Sequence, residues 1–429
     1  MLASNTLEPL PIRRWLKGYG PRRLRSDARA AFSVAMLDLP QGMAYAAIAG
    51  LPLQFGTMCS AVSGMVGSLF SSSRYTVLGP TNATAFMIFS YFAANPGLDR
   101  LSMMPLLVFM VGTMLLFGAF LRVAELVQYI SRTVVVAYVT GASLLIITNQ
   151  LANILGISMT TQMEEGGSFQ RRTLPGILIH LATHILEAHW ESLLVALGTA
   201  LIYILIRNLK PRWPALALSL VLSSAIATAV RSAGVEIDTY ANARFGILDL
   251  LPPFPDFASP RFFSDFSHLF GLAVAVAFLA TLESASMAKT FASISGQKLD
   301  GNQDMFALGM ANLCGAYLSG MPASGSLTRS AANFQAGART PVAAFLNGLF
   351  CLAGALTLGH LVGYIPRASL AVLIICVAVS LIHHRNIRIC LSATGSDALV
   401  FLFTLAATLL VPLHVAIFTG VGMSVMLYL

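Results

Sequence analysis

Stretches apolar and long enough to cross a bilayer recur twelve times along this chain, near 31–50, 54–72, 102–121, 133–155, 191–208, 214–230, 266–288, 305–319, 342–361, 368–382, 396–412 and 413–429. A hydrocarbon core about 30 Å thick takes roughly 20 helical residues to span. Inside it every backbone N–H and C=O must find a partner in the chain, so the spanning elements are helices. Charged residues make up only 10% of the sequence and apolar ones 56%, against about 25% charged in a soluble domain. The expected class is an all-α polytopic membrane protein.

Two shorter runs, 80–93 and 326–337, follow Gly- and Pro-containing stretches, "LGPTNATA" (Leu78 to Ala85) and "MPASGSLTRS" (Met321 to Ser330). Each reads as an extended piece followed by a half-helix that starts within the membrane, which brings the segments to fourteen. Arg13, Arg14, Lys17, Arg22, Arg23, Arg25 and Arg29 precede the first span, and the positive-inside rule puts that end in the cytoplasm. With alternating spans, Arg74, Arg122, Arg132, Arg207, Lys210, Arg212, Lys289, Lys298, Arg339, Arg385 and Arg388 also fall inside. Arg100, Arg171, Arg172, Arg231, Arg244, Arg261 and Arg367 fall outside, and Arg329 remains within the membrane. The net charge of +8 is thus mainly a topology signal, and no nucleic-acid partner is expected. The half-helices are the third segment of the first seven and the third of the second seven, which start from opposite sides. Interrupted segments in matching positions mark an inverted repeat and its binding site. The expected organisation is a cytoplasmic basic segment 1–30, a first repeat 31–230, an external connection 231–265 and a second repeat 266–429. The stretch 159–190 is an external connection that could carry a surface helix.

The polar residues inside these spans carry the functional reading. A half-helix starting near Ser326 leaves its first N–H groups unpaired and its dipole positive end exposed. With the Thr328 hydroxyl and the Arg329 guanidinium at that end, the chemistry is that of an anion site. Thr81 and Asn82 begin the other half-helix, aimed at the same depth. In the first span Asp38, Gln41 and Tyr45 share a helix face. Gln41 can donate to an anion and Tyr45 offers a hydroxyl or ring edge, whereas the role of Asp38 stays open because a carboxylate beside an anion repels it. Glu283 is an intramembrane carboxylate with Ser286, Met287 and Thr290 on its side of the helix, and proton coupling is the usual role of such a group. The competing structural readings are that Arg329 pairs with a buried carboxylate, Glu283 among them, and that the Gln41 face is polar interhelical packing.

Other chemistries find little support. Cys59, Cys314, Cys351, Cys376 and Cys390 stand singly with no metal-ligand spacing, so they read as core packers, and no metal or cofactor is expected. The "NAT" at Asn82 to Thr84 matches a glycosylation sequon but would lie in the membrane. His383 and His384 adjoin each other and make a poor metal pair. No GxSxG, HExxH or Walker A pattern occurs, so an enzyme is not expected.

Five stretches, "LPQGMAYAAIAGLP", "SSRYTVLGPTNATA", "TLESASMAKTFA", "LDGNQDMFALGMANLCGAYLSGMPASGSLTRSAAN" and "TGSDALVFLFTLAATL", resemble in order the SulP anion transporters, the family of bacterial sulfate permeases, pendrin and prestin. The resemblance implies fourteen segments in two inverted repeats, a core domain that holds the anion and a gate domain, with elevator-like movement of the core. It places Gln41, Tyr45, Thr81, Thr328 and Arg329 around the anion and Glu283 at the acidic position of the eighth segment. Family members often continue into a STAS domain; this sequence ends at Leu429 with the last span, so none is expected. The function so implied is secondary transport of a small inorganic anion, sulfate first, coupled to protons or to exchange. Sodium–bicarbonate or dicarboxylate transport and an uncoupled anion channel are the alternatives. Met287, four residues after Glu283, is a poor ligand for a hard cation such as sodium. The expected location is a bacterial inner membrane with both termini cytoplasmic; a homodimer is left open.

Overall fold

A computed structural model describes residues 7–95, 97–127, 132–157, 174–210, 213–241, 257, 260–297, 299–318 and 320–428. In chain order the elements are α1 (Ile12–Leu16), α2 (Pro21–Ala49), α3 (Leu53–Phe70), β1 (Leu78–Gly79), α4 (Asn82–Ala94), α5 (Arg100–Phe120), α6 (Val123–Val127), α7 (Arg132–Leu155), α8 (Leu174–Thr183), α9 (Trp190–Leu209) and α10 (Ala215–Ser232). The second half holds α11 (Phe262–Ser295), α12 (Gly301–Ala316), β2 (Ser324–Gly325), α13 (Leu327–Gln335), α14 (Val342–Leu358), α15 (Arg367–Leu381), α16 (His384–Ser392), α17 (Gly395–Leu410) and α18 (Leu413–Tyr428). The fourteen expected segments correspond to α2, α3, α4, α5, α7, α9 and α10, then α11, α12, α13, α14, α15, α17 and α18. Eight helical stretches among the described residues are each long and apolar enough to cross a bilayer alone. Others are shorter or carry more polar residues, as α2 and α12 do. Part of the 159–190 connection forms α8. Glu164, Glu165, Arg171, Arg172, Arg212, Arg244 and Lys298 lie outside the described residues, as do 242–256 and 258–259 of the 231–265 connection.

The packing repeats itself with the two halves exchanged. Helix α5 lies on α12 as α3 lies on α14, α11 meets α5 as α2 meets α14, and α17 meets α7 as α9 meets α15. The same exchange relates α9–α10 to α17–α18, α2–α10 to α11–α18, and α13–α2 to α4–α11, while α3–α12 and α7–α15 lie on the axis itself. This is a two-fold inverted repeat, expressed in contacts although the halves share little visible sequence. Close approach explains several glycines: a Cβ on Gly64 would stand 3.2 Å from Gly348 Cα, and one on Gly112 would stand 2.8 Å from Leu313 N. Small residues let helices approach where lipid offers no hydrophobic driving force between them.

Helices α2–α5 and α11–α14 pack mainly among themselves, as do α7, α9, α10, α15, α17 and α18. The two groups meet along α2, α4 and α11. Leu197, Leu201 and Leu205 of α9 and Val221 of α10 are apolar and exposed, the pattern of a lipid-facing surface. The basic N-terminal segment is tied beneath the first group. Glu8 N donates to Gln303 Oε1 at 2.8 Å, and Gln303 Nε2 donates to the carbonyls of Glu8 and Phe70 at 3.1 and 2.7 Å. Tyr19 Oη donates to Asp27 at 3.0 Å. Burial first, then the Asp27 charge, pushes the Tyr19 hydroxyl up to about 12, so it remains a donor at neutral pH.

Candidate functional site

Where the repeats cross, β1 and β2 pair antiparallel with Leu78 opposite Gly325 and Gly79 opposite Ser324. Two-residue strands leave most of their flanking backbone unpaired, and in a dry environment each such group is costly. Side chains complete the pairing. Ser330 Oγ accepts from Val77 N at 3.0 Å and Asn333 Nδ2 donates to Tyr75 O at 3.1 Å. Asn312 accepts from Ala323 N at 2.9 Å and donates back to Ala323 O at 3.2 Å. Gly325 N donates to Ser284 Oγ at 3.1 Å.

Each strand runs into a helix start. Thr81 caps α4 in a reciprocal box with Thr84, and Ser326 caps α13 by accepting from Arg329 N at 3.4 Å. The caps satisfy one N–H per helix and leave the N–H groups of the first turns, at Asn82, Ala83, Leu327 and Thr328, without intrahelical acceptors. A cavity of about 180 Å³ lies against both starts, lined by Tyr45, Thr81, Asn82, Glu283, Ser326 and Thr328, with Val135, Val139 and Ala142 of α7 opposite. At roughly 10–15 Å³ of such space per water, it has room for several waters or a small hydrated anion. Glu283 accepts from Thr81 Oγ1 at 2.9 Å, and Ser286, Met287 and Thr290 of the same face also border the cavity. Met287 Sδ accepts from Ser330 Oγ at 3.1 Å.

The structure divides the expected site residues into two layers. Tyr45, Thr81, Asn82, Ser326, Thr328 and Glu283 face the cavity. Gln41, Asp38 and Arg329 lie behind it. Arg329 is fully buried at 0% exposure, and its Nη1 meets Asp38 Oδ1 at 2.5 Å. Nη1 also reaches Ser60 Oγ at 3.4 Å, and Nη2 donates to Pro80 O at 2.7 Å. A Cβ on Gly79 would lie 2.4 Å from Arg329 Nη1, so the glycine opens the slot that the guanidinium fills. Asp38 accepts as well from Ser60 Oγ at 2.7 Å and, through Oδ2, from Asn347 Nδ2 at 2.9 Å. The carboxylate partner of Arg329 is therefore Asp38 and not Glu283, and Asp38 finds its reason in that pair. Gln41 is buried with its Oε1 unpartnered. Ser60, Asn347 and the Pro80 carbonyl escaped sequence reasoning because each is an ordinary polar group in an apolar run. His383, set aside as a metal ligand, stands with Asn386 and Leu381 at the cavity border on the second helix group.

A model of the sulfate permease family matches residues 24–404. The chain belongs to this family. It is 27% identical over 415 residues to the putative sulfate transporter YvdB of Bacillus subtilis, covering 96% of this chain and 75% of that protein. To sulfate transporter 1.1 of Arabidopsis thaliana it is 29% identical over 393 residues, which are 87% of this chain and 58% of the plant protein. Among solved structures, SLC26A9 superposes with a TM-score of 0.84 at 20% identity, over 98% of this chain and 67% of that one. The transmembrane domain of the cyanobacterial bicarbonate transporter BicA superposes at 0.75, also at 20% identity, over 95% and 98% of the two chains. This sulfate permease family member thus has the membrane fold of those proteins, and the family is one of anion transporters, not enzymes.

Proposed function

We propose that this chain is a secondary transporter of a small inorganic anion, sulfate first, that moves its substrate together with a proton or in exchange for another anion. The observation that carries this reading is the pair of half-helix starts facing one cavity, with the hydroxyls of Thr81, Ser326 and Thr328 around it and a carboxylate, Glu283, bonded to one of the caps. Unpaired first-turn N–H groups and two dipole ends favour an anion there. Glu283 would be the proton carrier: a carboxylate beside a bound anion in a low dielectric is costly unless it takes up a proton. Met287 beside it offers sulfur, not oxygen, which disfavours sodium.

The cavity borders Leu381, His383 and Asn386, on the side that the basic residues assign to the cytoplasm, with both termini on that side. In this conformer the site opens inward. The helix group α2–α5 with α11–α14 would be the core that carries the anion, and the other group the gate, within repeats 31–230 and 266–429. On the opposite side Leu413 N donates to Ser90 Oγ at 3.4 Å, and the Tyr91 and His414 rings stand 5.3 Å apart edge to face. These core–gate contacts would part when the core shifts.

Reconstitution into liposomes tests the reading. Labelled sulfate should accumulate when sulfate is offered outside, and unlabelled sulfate should compete better than bicarbonate or succinate. Competition by bicarbonate alone would favour the bicarbonate alternative, and absence of any anion uptake would overturn the assignment.

A further inference from the structure

The charges around the cavity do not add up to a site for a bare divalent anion. Arg329 carries a fixed positive charge behind the cavity, and Asp38 cancels it at 2.5 Å. Glu283 contributes a negative charge whenever it is ionised, and no Lys or Arg is among the residues that border the cavity. Each helix start adds about half a positive charge. With His383 at the cavity border uncharged, the total is near zero when Glu283 is ionised and near plus one when it is protonated. Arg329 Nη2 donates to the carbonyl of Pro80, and the next residue, Thr81, donates to Glu283, so the three charges gather around the start of α4 that the cavity adjoins.

We infer that Asp38 sets the charge number of the anion this site accepts, holding it to a monovalent anion or to a divalent one that arrives with a proton. This rests on the reading of the cavity as the anion site. Asp38 does not touch the cavity; it acts through Arg329. Its own placement is built: Ser60 from α3, Asn347 from α14 and Arg329 from α13 converge on its two oxygens, and it is fully buried. A carboxylate held by three helices cannot turn away to release the arginine charge, so the cancellation is a fixed property of the core and not a passing contact.

The consequence is a selectivity that charge substitutions should move in a known direction. Removing one negative charge stabilises a divalent anion twice as much as a monovalent one at the same position, because Coulomb energy scales with the anion's charge. Asp38→Asn should raise the ratio of sulfate to nitrate affinity by about tenfold or more. Asn347→Asp should lower it, since it adds a negative charge at the same cluster. The double variant Asp38→Asn/Asn347→Asp restores the charge count across an observed hydrogen bond and should return the ratio towards that of the parent. Competition of labelled-anion uptake in liposomes by sulfate and by nitrate gives the ratio, which a merely structural role of Asp38 would leave unchanged while total activity fell. Should Asp38→Asn fail to fold, the Asn347→Asp and double variants still decide the matter. Equal ratios in the parent and in every folded variant would overturn the inference while leaving anion transport intact. Absence of anion uptake by the parent would overturn the functional reading, and this inference with it.

Discussion

At the scale of single residues, the fate of Arg329 follows from where its charge is compensated. A buried ion pair with one partner removed leaves an unpaired charge in a low dielectric, which typically costs about 3–5 kcal/mol. Arg329→Ala should therefore unfold more readily than the parent by about that much, because Asp38 would keep only Ser60 and Asn347 as donors. Arg329→Ala/Asp38→Ala should recover a large part of the loss, so that the double variant is less destabilised than the sum of the two single ones. Thermal unfolding in detergent measures both. Additive losses would mean that the two side chains are not coupled. That an arginine inside the membrane needs compensation was legible in the sequence, and so was the buried-carboxylate alternative. Which carboxylate answers it was not, since Asp38 and Glu283 lie 245 positions apart and only packing decides that α2, and not α11, offers its acid to the guanidinium.

At the scale of elements, the two crossing half-helices depend on caps that also shape the cavity. Thr81 holds the first turn of α4 and at the same time donates to Glu283. Thr81→Ala should cost about 0.5–2 kcal/mol of stability through the lost cap and should leave Glu283 without that donor, whereas Thr81→Ser retains both contacts. Thermal unfolding with and without sulfate separates the effects. Thr81→Ala should lose both basal stability and most of the sulfate-induced shift, and Thr81→Ser should keep them; equal behaviour of the two variants would remove the hydroxyl from the site. The elements themselves were well marked, because "LGPTNATA" and "MPASGSLTRS" interrupt apolar sequence with Gly and Pro where no helix can continue. The β1–β2 pairing and the bracing by Asn312, Ser330 and Asn333 were not. A two-residue strand leaves no periodic trace, and an asparagine in a span looks the same whether it braces a backbone or faces a neighbour. The division of the Gln41 face was equally hidden: helical spacing puts Asp38, Gln41 and Tyr45 on one face, but the depth of the cavity selects only Tyr45 to reach it.

At the scale of the whole molecule, the inverted repeat was legible from segment order and from the basic residues, and the packing exchange between halves realises it. If the core moves against the gate during transport, joining them on the side opposite the cavity mouth should stop it. Ser90→Cys/Leu413→Cys, placed in a chain whose five cysteines are replaced by serine, should lose sulfate uptake on oxidation and regain it on reduction; uptake unaffected by a completed cross-link would show that these surfaces do not part. The coupling of that movement to protons rests on Glu283. Lowering the external pH favours its protonation, so uptake by the parent should accelerate as the outside is acidified. Glu283→Gln mimics the protonated side chain and should lose that acceleration while retaining anion exchange. The most direct measurement is labelled sulfate uptake into liposomes against external pH, for the parent and Glu283→Gln at matched protein content. The expected result is a steep rise towards acid pH in the parent and a flat profile in the variant; the same pH dependence in both would contradict proton coupling through Glu283.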